Sequence, residues 1–539
     1  MSPDEWVLVL QRLVDRLVRR LRVGRPPGAG RRRFLVVQID GLSRAVLERA
    51  LTDGRMPFLA HLLARHGYRV HPMSVGLPTS TPAFQLAAMY GVKPDIPGFH
   101  YHDKRRRADI YFPRGGDAAR VEAAQGRGRR GILDGGSAYG CVFTGGAPNN
   151  LFNFASIKRP TSEGLLRVVS AFVVVAWVVV KAGTLTVLAV GRAVLRFIAD
   201  PVREAARGWK WLAIKVGVSV WVRELFTLAV SRDLYAGVPA IYVNYLDYDV
   251  FAHAYGPQHR RALRALRGVD RSIHQLWRVL RRVPGHRYDL YVLSDHGQAA
   301  TVPYPALSGG RRLERVFFSE FLTPDGVVAA TAERRARRIA ARITAYRGRA
   351  PGLLQRFVNY LENDFLGSLR EVPEARERAG VRVVAAGPNA FVYFLDEDEP
   401  LTLERIEQRF PGLVEELGAA RGIGFVLARS EAGPVYLARG KRWVLGDGDA
   451  GPFAMRADRT LVVEGIRDLM AMPSAGDLVI YGNDSPDGNV SYIPEAGAHA
   501  GPAPEEMQTF MVCPPGVEPP QPITHPIQLY AHFSAYGSP

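Results

Sequence analysis

Short apolar runs, each followed by polar residues or glycine, set the tightest limit on what this chain can fold into. They are Phe34–Ile39, Ala240–Leu246, Asp289–Leu293 and Asp477–Tyr481. Runs of this length suit strands buried on both faces, where side chains cannot alternate between water and core. Helical patterns lie between them. Strands of this kind alternating with helices imply an α/β fold with a mostly parallel central sheet flanked by helices. In such sheets ligands collect at the carboxyl ends of the strands. Asp40, Asp249 and the pair Asp295-His296 all fall at such ends.

The 539 residues exceed one ordinary domain and leave room for a large core with inserts. The expected division is an N-terminal helix and linker over 1–33 and core over 34–150, 236–300 and 451–539. An apolar helical insertion takes 151–235 and an α+β cap takes 301–450. With 47% hydrophobic and 23% charged residues, the composition excludes wholesale disorder. The formal charge is +18. It fits either an anionic contact or an arginine-rich solvated surface, because the basic residues are spread along the chain. Cys141 and Cys513 are the two cysteines, too few for a disulfide framework or a cysteine zinc site. A reducing compartment follows as the expectation, on the cytoplasmic side, since the start Met1 to Glu5 lacks a secretory signal's positive charge.

Two regions suggest a lipid surface. Residues 5–23 read as a helix with Trp6, Leu10, Leu13, Leu17 and Leu21 on one stripe and Arg12, Arg16, Arg19 and Arg20 off it. Such a helix can lie on an anionic membrane or dock on its own protein. Leu165 to Gly191 is apolar except for Arg167 and Lys181, and 211–230 is a second apolar stretch. One crossing would split the core across the bilayer, so these stretches read as a returning hairpin or a helical insertion lying on the membrane. The competing reading is a helical cap with an apolar face. Within 301–450, helical periodicity appears at 330–348 and 403–418, and strand-like runs at Val381–Ala386, Ala390–Leu395 and Gly424–Leu427. The proline-rich 501–539 reads as an extended tail.

The chemistry sits in five separated clusters. Gln38-Ile39-Asp40-Gly41 puts a carboxylate at a strand end. Pro78-Thr79-Ser80-Thr81-Pro82 precedes a helical pattern, so a hydroxyl there either caps the helix or serves an anion at its N-terminus. Asp249 and His253 are four apart, facing the same way on a helix, and can share a divalent ion. Asp247 fits that spacing less well. Ser294-Asp295-His296-Gly297 places two metal-capable groups at the end of a buried strand, where they need a partner to offset burial. Glu495-Ala496-Gly497-Ala498-His499 sets a histidine among small residues.

In this order the clusters resemble the alkaline phosphatase superfamily, most closely its type I phosphodiesterase/nucleotide pyrophosphatase branch, over roughly 34–103, 238–299 and 477–513. The resemblance implies a phosphoester hydrolase with two divalent ions, zinc or manganese. Asp40, Asp295 and His296 would hold one ion, with Thr81 as its further ligand and as nucleophile forming a phospho-threonine. Asp249, His253 and His499 would hold the other. The phosphate-side asparagine of nucleotide pyrophosphatases is not evident near Gly98 to Asp103, where His100 and His102 stand. Ala498 and Ala500 replace residues that the family often has as Ser and Gly. Ser80 and Thr79 stay open as nucleophiles. The other readings are a phosphomonoesterase or phospho-group transferase on the same site, and a membrane-bound scaffold with a degenerate site. The short basic runs at 104–107 and 127–130 lack interleaved aromatics and do not favour nucleic acid.

Overall fold

The computed structural model describes residues 32–151, 217–283, 286–322, 377–446 and 449–537, with positions 180, 182–184, 186–187 and 190–191. The expected helix 5–23, most of the apolar stretch 165–191 and the helical pattern 330–348 lie outside these residues. No helix among the described residues is long and apolar enough to cross a membrane.

The fold is mixed α/β around a seven-stranded, mostly parallel sheet. Its strands are β1 (Arg33–Ile39), β2 (Arg69–Ser74), β3 (Ser137–Tyr139), β4 (Asn149–Leu151), β5 (Ala240–Tyr245), β6 (Tyr288–Leu293) and β7 (Gln508–Cys513), in the order β2-β7-β6-β1-β5-β3-β4. The β1–β5, β1–β6, β5–β3 and β3–β4 pairs are parallel, and β7 runs antiparallel to both β2 and β6. Alternate side chains of β1 feed two separate cores. Phe34 and Val36 pack on one face, and Leu35, Val37 and Ile39 on the other. A strand covered on both faces cannot alternate in polarity, which is why its sequence is a continuous apolar run.

Helices cover both faces. The longest, Arg260–Arg282, buries Leu263, Leu266, Val269, Ile273, Leu276 and Val279 at three- and four-residue spacing. Its arginines 264, 267 and 271 fall between those positions, so here the basic charge lies on a solvated helix face. Its buried Asp270 accepts from the free N–H groups of Phe58 and Leu59 at 3.0 and 2.9 Å, satisfying the start of the helix Pro57–Arg65.

Two segments differ from expectation. Leu478–Tyr481 does not join the parallel sheet. It is the middle strand of a second, antiparallel sheet, between Asn389–Phe394 and Phe425–Ser430. A short strand buried on both faces has the same apolar sequence in either kind of sheet, so periodicity could not separate them. The proline-rich tail is only partly extended. It opens with β7 inside the core sheet and closes with the helix Ile527–Ser534.

The Nδ1 atom of His525 accepts from the Ile527 N–H at the start of that last helix. Burial pushes the His525 imidazole down to about 4, with Lys93 adding to and Asp468 opposing the shift. A histidine depressed in the folded state contributes stability that is complete above its unfolded value near 6.5 and is lost as pH falls towards 4. His525→Asn, which keeps an acceptor, is expected to lose less stability than the parent between pH 6.5 and 4 in urea melts. Parallel pH curves for the two proteins would contradict this.

Candidate active site

The site is built at the carboxyl ends of β1, β5 and β6. Asp40 follows β1 directly, and Gly41 follows with φ +72°. A Cβ at Gly41 would meet Asp249 Oδ1 at 2.6 Å, so glycine is needed both for the turn and for the approach of the second carboxylate. Asp249 and His253 lie on the helix Asp247–Tyr255, with His253 Nε2 3.3 Å from Asp249 Oδ1. Asp295 and His296 follow β6. His296 Nε2 is 3.4 Å from Asp295 Oδ2 and 3.7 Å from Asp40 Oδ1. His499 comes from the C-terminal part of the chain, and its ring stacks on His296 at 3.7 Å and lies 5.0 Å from His253. The seven residues named from the motifs therefore converge.

The three neighbouring hydroxyls separate clearly. Thr81 Oγ1 lies 3.4 Å from Asp40 Oδ1 and 3.1 Å from His296 Nε2. Thr79 Oγ1 is taken up elsewhere, donating towards Gly501 O and Glu506 and accepting from the Ala500 N–H. Ser80 occupies the N-cap of the helix Thr81–Tyr90 without capping it, and its buried hydroxyl has no partner. Asp247 faces away, in a 2.7 Å ion pair with Arg223. His102 binds Asp109 at 2.8 Å, His100 lies 3.8 Å from the same carboxylate, and Arg382 grips it as well. Among residues 98–103, Phe99 alone lines the cleft.

Each imidazole has a backbone carbonyl as acceptor at Nδ1. Nδ1 of His253 donates towards Gly497 O, Nδ1 of His296 towards Gly297 O and Nδ1 of His499 towards Thr79 O, at 2.9, 3.0 and 2.7 Å. In His296 and His499 that leaves the Nε2 lone pair for other partners. Burial pushes His296 down to about 3, and burial together with His296 and His253 holds His499 well below the ordinary range. Both rings are therefore neutral at physiological pH. Burial, then Asp295 and Asp249, raises Asp40, and burial drives Asp295 up to about 7. His253 behaves differently: burial opposes its protonation, but Asp249 and Glu495 on either side outweigh it. Asp249 moves down with it.

A divalent cation fits these residues. Asp295 Oδ2 is fully buried with no hydrogen-bond donor, and it faces the lone pair on His296 Nε2. Two acceptors turned on each other cost free energy unless a cation lies between them. Ligand atoms of Asp40, Asp295 and His296 lie within 4.8 Å of one another, as do those of Asp249, His296 and His499. His296 is thus common to both groups, and His253 joins the second through Asp249.

Motif reading missed the supporting residues. Asn244 donates to Asp40 Oδ2 at 2.6 Å, Gln298 donates to Asp249, and Glu495 Oε2 accepts from His253 Nδ1 at 2.8 Å. Ser491 Oγ holds the other Glu495 oxygen at 2.6 Å. Asn244, Gln298 and Glu495 sit inside or beside the motifs, and only long-range packing assigns them partners. The last motif also carries strain: Ala500 has φ +120°, a conformation that glycine adopts without cost.

Comparison with known proteins gives one family match and remote structural likenesses. No curated protein matches the chain. Among solved structures, phosphonoacetate hydrolase from Sinorhizobium meliloti 1021 in complex with phosphonoacetate is 13% identical, with a TM-score of 0.44. The same enzyme with phosphonoformate is 15% identical, with a TM-score of 0.42. Both alignments cover 96% of this chain and 98% of the other. A family model matches residues 194–351, which include Asp249, His253, Asp295 and His296. That model describes type I phosphodiesterase / nucleotide pyrophosphatase, the branch that the motif order resembles.

Proposed function

We propose that this protein is a metal-dependent hydrolase of phosphoric diesters that works through Thr81. One observation carries the reading: the Thr81 hydroxyl stands between Asp40 and His296, where two groups of buried ligands meet. Asp40, Asp295 and His296 would hold one cation, and Asp249, His253 and His499 a second. When bound, such ions supply Lewis-acid polarisation at phosphorus and offset charge on the entering and leaving oxygens.

The chain's own part is positioning. Thr81 Oγ1 lies within hydrogen-bond reach of two acceptors, Asp40 Oδ1 and His296 Nε2, which give its proton a destination as the oxygen bonds to phosphorus. The bond from phosphorus to one alcohol breaks, and water later displaces Thr81 to restore the hydroxyl. The start of the helix Thr81–Tyr90, which has no side-chain cap, would offer backbone N–H groups to the transferred group's oxygens. Asn244 holds Asp40 in register.

The test loads purified protein with zinc or manganese and compares bis(p-nitrophenyl) phosphate with p-nitrophenyl phosphate. Faster release from the diester is expected. Release from the monoester alone would replace this reading with a phosphatase. No release from either, with no metal taken up, would favour the scaffold.

A further inference from the structure

The chain is strongly basic, yet the cleft over the site is not. Its floor carries Asp40, Thr81, Asp249, His253, Glu495 and His499. Above them stand Phe99, Pro113, Val142, Leu246, Val250 and Ile493. Among the described residues that line the cleft, none is a lysine or an arginine. Among the described residues, Lys104 pairs with Asp477, Arg223 with Asp247 and Arg382 with Asp109.

This distribution discriminates between phosphoesters by the group that remains on phosphorus. A pyrophosphate-linked nucleotide brings at least one more negative charge. Seated against Phe99, Val250 and Ile493, that charge loses water and meets no basic side chain of the described lining, which opposes binding. An alkyl or aryl substituent instead removes apolar surface from water against the same walls. The uncommitted polar atoms lie at the phosphorus end. Ser80 Oγ and Asn244 Oδ1 are fully buried, line the cleft and lack partners. The Ser80 hydroxyl can donate to a phosphoryl oxygen. Asn244 Oδ1 only accepts, which suits the O–H of incoming water or of the departing alcohol.

We propose that the cleft selects phosphoric diesters whose alcohols are uncharged and apolar, alkyl or aryl, over pyrophosphate-linked nucleotides. This rests on the diesterase reading above. The reaction takes one diester and one water to one phosphomonoester and one alcohol. Water oxygen ends on phosphorus, and a proton ends on the alcohol oxygen.

The test uses metal-loaded full-length protein with hexyl p-nitrophenyl phosphate, phenyl p-nitrophenyl phosphate and the p-nitrophenyl β-ester of adenosine 5′-diphosphate, reading p-nitrophenol from all three and also AMP and p-nitrophenyl phosphate from the last, which can break at its pyrophosphate bond. The hexyl and phenyl esters are each expected to exceed the nucleotide ester in kcat/KM by roughly tenfold or more. Their ratio to one another separates an alkyl from an aryl substrate. Ile493→Lys should narrow the gap by favouring the charged ester, and Phe99→Ala should narrow it by slowing the apolar ones. A nucleotide ester turned over as well as the apolar pair, or a gap that neither variant moves, overturns the selectivity while leaving a hydrolase. Failure to cleave any of the three esters removes the hydrolase reading and this one together.

Discussion

Thr81→Ala is expected to lower kcat on bis(p-nitrophenyl) phosphate by about a thousandfold or more, the scale on which removing a nucleophile acts. The reason is local. Of the three consecutive hydroxyls, Thr81 alone faces Asp40 and His296, whereas Thr79 is consumed by Gly501 and Glu506. Ser80→Ala is expected to cost far less, since that hydroxyl can only assist. Rapid acid quench of the parent enzyme followed by peptide mass spectrometry should find a phosphoryl group on the peptide containing Thr81. Metal content and melting temperature, measured on the same variants, separate loss of the nucleophile from loss of a ligand. Undiminished turnover by Thr81→Ala would exclude the covalent route.

Glu495→Gln should weaken divalent-metal binding by about 10–100-fold, the usual cost of disturbing a carboxylate behind a ligating histidine. Glu495 is buried and bridges Ser491 and His253. Its charge keeps the proton on His253 Nδ1 and makes Nε2 the better donor to a metal. Glutamine preserves the shape and one acceptor and removes the charge. The apo forms of the parent and the variant are expected to melt close together. Calorimetric zinc or manganese titrations should then diverge, and excess metal should restore most of the variant's activity. Equal metal affinities would reduce Glu495 to a packing residue.

Residues that announce themselves by local pattern were legible from sequence. An acid directly after an apolar strand, an Asp and a His four apart, and an Asp-His pair before glycine each follow from strand or helix geometry. Three of the parallel strands, β1, β5 and β6, were legible for the same reason, whereas the three-residue strands β3 and β4 were not. What stayed hidden depends on distant partners. Glu495 lies 242 positions from His253, and Asn244 lies 204 from Asp40, so no spacing rule joins them. The choice among Thr79, Ser80 and Thr81 turns on backbone direction at a helix start, where three adjacent hydroxyls look alike in sequence. Neither His100 nor His102 could be assigned from sequence; both face Asp109 across a local hairpin, where Arg382 also reaches that carboxylate.

The strand Leu478–Tyr481 has a consequence for how such a protein can diversify. It is paired on both sides by segments from 389–394 and 425–430, and 18 residues after its end the same chain delivers His499 to the site. The second sheet is therefore not a cassette. Exchanging 377–446 for another protein's loop would strip both neighbours from a buried strand and loosen the lever that carries one of the histidines. Ala386 and Gly387, from the same sheet, also line the cleft. Changes that remodel the cleft wall and changes that tune the histidine are thus inherited through one structural joint, and a grafted cap would have to bring its own equivalent of Leu478–Tyr481 to keep the site intact.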